Sequence, residues 1–161
     1  MISRSCCHTA RRRDAEWSSR RVADQEQVPL PETADELCAV AQDVKAGSHD
    51  VRVRSQATEH QLKQLSESGE LAKYRMVHFA THGVLAGQLD GTQEPGLILT
   101  PPETATEEDD GYLTASEIAA LKLHADLVIL SACNTAAGGA TSAEALYGLA
   151  RAFITRKREL C

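Results

Sequence analysis

The chain has 161 residues, a hydrophobic fraction of 42% and a net charge of -6. This length suits one domain with a sizeable core, and the hydrophobic fraction excludes wholesale disorder. The acidic balance argues against a nucleic-acid partner, and no apolar run approaches the roughly 18 residues of a membrane span.

Residues 1–27 stand apart. Arg4, Arg11, Arg12, Arg13, Arg20 and Arg21 sit among serines and acids, with no period of 2 or 3.6. The stretch reads as a disordered or atypical leader. It has no apolar h-region, so it is not a secretory signal, and its acids argue against a transit peptide. The ordered domain is expected over 28–154, with an unstructured tail over 155–161.

Thr33 and Glu36 form a T-x-x-E capping box ahead of Leu37, Val40, Ala41 and Val44, which share one helical face. Gly47 is the expected stop. Val51-Arg52-Val53 alternates apolar and polar residues and predicts a half-exposed strand. Thr58 and Gln61 form a second capping box, Leu62 and Leu65 mark the buried side of its helix, and Gly69 ends it. Met76–Ala80 predicts a strand that stops before His82-Gly83. Leu97–Leu99 is a short strand, and Tyr112-Leu113 is placed to pair back on Ile98 across a mobile acidic loop, Glu103–Asp110. Thr114 and Glu117 form a third box, with Ile118 and Leu121 on the inner face of that helix. Leu127–Leu130 is fully apolar and suits a strand buried on both faces. A last helix from about Ser142 buries Leu146, Leu149, Ala150 and Phe153. Strands alternate with helices, so the fold class is α/β with parallel layers.

Five cysteines occur, at 6, 7, 38, 133 and 161, with no C-x-x-C. The odd count suggests neither a disulfide framework nor a zinc site and fits a reducing, cytoplasmic setting. Cys133 follows the Leu127–Leu130 strand, where open α/β sheets place ligand sites. His82 follows the other strand. A thiol needs a base to become a thiolate, and histidine titrates near neutrality. Attack on an acyl carbon also needs oxyanion donors, which backbone N–H groups in turns at Gly83 and Cys133 would supply. Asn134 and Thr135 are fit to line the same crevice. Packing roles compete with this reading: a lone cysteine is commonly a small core residue. His78, inside its strand, and Cys38, on the first helix, read as structural. His78, His82 and Cys133 lack metal-ligand spacing, and Ala137–Ala140 is not a phosphate loop. No cofactor or metal is expected.

H-F-A-T-H-G at 78–83 and L-S-A-C-N-T-A at 130–136 resemble the two catalytic motifs of the CHAT domain, a family of caspase-like cysteine peptidases related to caspases and separases. P-G-L-I-L-T at 95–100, D-G-Y-L-T-A-S-E-I at 110–118 and A-E-A-L-Y-G-L-A-R-A-F at 143–153 resemble its connecting segments. The resemblance spans roughly 29–154. It implies a three-layer α/β/α caspase-like sandwich with a mainly parallel sheet, and a cysteine endopeptidase acting on a protein or peptide. It implies Cys133 as nucleophile, His82 as general base and acid, and the N–H groups of Gly83 and Cys133 as the oxyanion hole. Such domains are mostly bacterial and often follow tetratricopeptide repeats that recruit a partner; none is seen here. Arg20–Gln25 stands where the family has an apolar first strand, and the chain stops soon after Phe153. It therefore resembles a truncated copy, incomplete at its C-terminus. The alternative reading is an inactive remnant that serves as a protein-binding module.

Overall fold

The computed structural model of the chain describes residues 31–88, 92–106, 108–132 and 140–154. The leader and tail therefore lie outside the described residues.

Helix α1 (Pro31–Asp43) opens on a proline, whose missing N–H and fixed φ suit a first helical position. The expected box at Thr33 is not its cap, because Thr33 already lies inside the helix. The helix also ends before Gly47. Ala46 N–H donates to Ala41 O at 2.8 Å and Lys45 N–H to Gln42 O at 3.1 Å. With Lys45 at φ 57, this is a Schellman stop built on a non-glycine residue.

Residues Val51–Val53 form no strand. The segment lies between short 3-10 turns at Ser48–Asp50 and Arg54–Gln56. Alternation alone does not make a strand without a ladder partner, and Arg52 donates instead to Gln61 Oε1 at 3.4 Å. Helix α2 (Glu59–Glu67) does start where expected, with Thr58 Oγ1 accepting from Gln61 N–H. Gly69, at φ 79, follows it.

Strand β1 (Met76–Val84) runs nine residues, past the expected stop at Ala80. Its last three residues pair antiparallel with β2 (Gly96–Ile98), so His82 faces Ile98 and Gly83 faces Leu97 across the ladder. The return of β2 provides the pairing partner that extends β1. Strand β3 (Tyr112–Thr114) pairs back on β2 with Tyr112 opposite Ile98, as the sequence predicts. Helix α3 (Ala115–Ala120) follows at once, and both arms of the Thr114–Glu117 capping box are present. Strand β4 (Leu127–Ala132) pairs parallel with β1, and helix α4 (Ala140–Ile154) comes last.

The sheet order is β3-β2-β1-β4. The fold is α/β with a four-stranded mixed sheet: one described pair is parallel and two are antiparallel. That differs from the mainly parallel sheet expected. Among the described strands, β1 and β4 are joined through a connection that contains α3 and pair parallel, while β2 and β3 return as antiparallel neighbours.

Leu71, Leu97, Leu113, Ile118, Leu121, Leu149 and Ala152 form the main core. Phe79 and Leu130, partners in the β1–β4 register, pack against it. Phe79 meets Phe153 of α4 with ring centroids 5.6 Å apart. Alternation turns His78, Ala80 and Ser131 to the other face, where Ser131 reaches Glu36 of α1.

Two polar features fix the hairpin end. Glu59 is 1% exposed, and its Oε2 accepts from Asp110 N–H at 3.1 Å and Gly111 N–H at 3.0 Å. Lys63 pairs with Glu59 and with Glu117, both at 2.7 Å, and donates to Glu108 O at 2.6 Å. The acidic segment expected to be mobile is thus pinned at its C-terminal end. Gly111 has φ +84, and a Cβ there would sit 2.9 Å from Pro101.

Burial raises the Glu59 carboxyl above the ordinary range, against the pull of Lys63. Burial also works against the Glu117 carboxylate, but Lys63 and Thr114 outweigh it and lower its pKa.

Tyr112 is the second feature. Its hydroxyl donates to Glu94 O at 2.7 Å. Burial, with Glu94 and Asp110 nearby, pushes its phenol up to about 12. The folded pKa lies above the unfolded value, so the contribution is complete below pH ~10 and is lost as pH rises towards 12. Urea melts at pH 10 and 12 should show wild type losing roughly 2 kcal/mol more than Tyr112→Phe. Parallel losses in the two proteins would refute the assignment.

Candidate active site

The β1–β4 register decides which residues approach one another. Met76 to Thr81 pair in step with Leu127 to Ala132, and the last described pair is Thr81 with Ala132. His82 and Cys133 are the next residues along the chain. Cys133, Asn134 and Thr135 lie outside the described residues, as do Gly138 and Gly139.

His82 is half-buried and sits within β1, not in a turn beyond it. Gly83 also lies inside the strand, so the turn expected there is absent. Thr81, just before His82, donates its hydroxyl to Ile98 O and so ties the two strands beside the histidine. In an extended strand His82 shares a face with His78 and Ala80.

That face carries a polar cluster that sequence reading misses. Ser131 Oγ lies 2.8 Å from His78 Nε2 and donates to Glu36 Oε1 at 2.8 Å. His78 Nε2 stands 3.7 Å from the same carboxylate oxygen. From sequence, His78 reads as structural, Glu36 as part of a helix cap and Ser131 as a strand end. The one signal in the chain is the shared parity of positions 78 and 82 on one strand. Cys38 carries a thiol, half-buried on α1 and outside any disulfide among the described residues.

A cleft of about 270 Å³ lies at the N-terminal end of β1. Leu37 and Val40 of α1, Leu62 and Leu65 of α2, and Met76–Phe79 of β1 line it. His82 is not among its lining residues. The largely apolar walls offer little chemistry, so the strand ends remain the candidate site. Among the described residues no helix is long and apolar enough to cross a membrane. Among those residues, too, no three His, Cys, Asp or Glu side chains converge as metal ligands.

A family model described as the CHAT domain matches residues 5–156. The match takes in most of the stretch that composition sets apart as a leader. No curated protein and no solved structure matches the chain.

Proposed function

The chain belongs to the CHAT domain family, and from that premise we propose that it is a cysteine endopeptidase domain acting through Cys133 and His82. The observation that carries this reading is the register of β1 and β4. Thr81 and Ala132 are opposite each other, and each directly precedes one member of the pair. The family's peptidase-like character supports the reaction class. Helix α1 meeting the sheet on the face of Ser131, with the main core on the other, supports a three-layer caspase-like sandwich.

In this mechanism His82 takes the thiol proton of Cys133, and the thiolate attacks the carbonyl carbon of a peptide bond. The backbone N–H groups of Gly83 and Cys133 hold the oxyanion. His82 then gives its proton to the leaving amine. Water, deprotonated by His82, cleaves the thioester and restores the thiol. The substrate is a protein or peptide, no cofactor is used, and a reducing, cytoplasmic setting keeps the thiol from oxidation.

A peptide acyloxymethyl ketone probe tests this. It should label Cys133 in the wild type, and His82→Ala should slow labelling at least tenfold. Labelling that ignores His82, or that goes equally to Cys38, would reject the dyad and favour a non-catalytic binding module.

A further inference from the structure

Three polar side chains meet on the face of the sheet that β1 gives to His82. Ser131 Oγ donates to Glu36 Oε1 at 2.8 Å, and His78 Nε2 lies 2.8 Å from the same Oγ. A hydroxyl has one proton, and a carboxylate can only accept. Ser131 therefore gives its proton to Glu36 and accepts from His78, whose Nε2 carries the N–H. The network fixes Nε2 as the donor, and Nδ1 is left as a buried polar atom with no hydrogen-bond partner among the described residues. The imidazole is 8% exposed. A buried polar atom without a partner is costly, and an apolar side chain at 78 would avoid that cost. Packing alone does not account for a histidine here.

The cluster is not a serine nucleophile in disguise. In such a site the histidine stands between hydroxyl and acid. Here the acid bonds the hydroxyl itself, and no acid among the described residues bonds Nδ1.

What the cluster fixes is position. Ser131 lies two residues before Cys133 on the chain, and its ladder partner Ala80 lies two before His82. Its hydroxyl bonds two other elements, β1 through His78 and α1 through Glu36. Apolar contacts are non-directional and let a strand end shift, whereas hydrogen bonds fix it in distance and angle. We propose that Glu36, Ser131 and His78 form a polar clamp that positions the C-terminal end of β4, and with it the Cys133 thiol, for reaction with His82. The clamp rests on the Cys133–His82 reading of the site. Its members are positioning residues, and none of them touches substrate.

Site-resolved mass spectrometry of the full chain under iodoacetamide gives the alkylation rate of Cys133 relative to Cys38. Glu36 is 46% exposed, so Glu36→Ala tests the clamp without opening the core. Glu36→Ala and Ser131→Ala should each lower the Cys133 rate about tenfold, since misplacement by a fraction of an ångström is enough to do so. Glu36→Gln and Ser131→Thr keep an acceptor and a hydroxyl and should restore most of it. Should Ser131→Ala fail to fold, the Glu36 pair decides alone. If His82→Ala slows alkylation but the clamp variants do not, the clamp is refuted and the dyad stands. If the conservative variants fall as far as the alanines, the effect is not positional and the clamp is again refuted. If His82→Ala changes nothing, the dyad fails and the clamp fails with it.

Discussion

Cys133→Ala should abolish peptide-bond hydrolysis, by roughly three or more orders of magnitude in kcat/KM, because the covalent route disappears with its nucleophile. Cys38→Ala should leave turnover within about twofold. Cys38 is half-buried on α1, and its loss removes one small apolar group from a helix surface. The two variants carry the same chemical change at different places. Hydrolysis of a peptide library by each, at matched folded fraction, separates chemistry from folding. Equal losses would trace to stability and remove Cys133 from the role of nucleophile.

Glu59→Ala should be the most damaging substitution for the fold. It removes the acceptor of two backbone N–H groups, at Asp110 and Gly111, and one carboxylate partner of Lys63. Glu59 is buried, so the stranded donors regain little solvation. Lys63 keeps Glu117 as its partner, so the cost lies in the two stranded donors, about 1–3 kcal/mol each, and a loss of that size lowers Tm by roughly 4 °C or more in a chain of this length. Glu59→Gln keeps an oxygen for the two N–H groups and loses only the charge, so its cost should be roughly half. Limited proteolysis gives a second readout, with cleavage at 108–111 appearing early in Glu59→Ala and late in the wild type. A Glu59→Ala protein that melts within about 2 °C of wild type would overturn this account.

Features written in a few neighbouring residues are legible in the sequence itself. Thr114 and Glu117 are three apart, and both arms of their box form. Thr58 caps α2 for the same local reason. Tyr112 and Ile98 pair as expected, because the punctuated segment between them leaves room for little but a hairpin. The misreadings share a different cause. Whether Val51–Val53 is a strand depends on a partner elsewhere, and none of the described strands pairs with it. Whether β1 stops at Ala80 or runs to Val84 depends on β2 returning beside it. Glu36 resembles a cap because its reach to Ser131, 95 residues away, leaves no local trace. For the candidate site, the sequence names the two strands, and the register adds how they align.

The pairing of β1 with β4 has a kinetic side. Hairpin partners β2 and β3 are separated by fewer than twenty residues, and α3 is capped from the last residue of β3. Met76 and Leu127, by contrast, are about fifty residues apart. Closing the longer loop costs about 1 kcal/mol more chain entropy, by the logarithmic dependence on loop length. The hairpin and its capped helix therefore present an early, self-contained nucleus, and the zippering of β4 onto β1 belongs to the late, native side of the folding barrier. The pairing of Thr81 with Ala132, the residues that directly precede His82 and Cys133 in the sequence, forms only in that last zippering, so the proposed dyad requires the completed fold, and a chain with its hairpin alone formed should show no thiol activation.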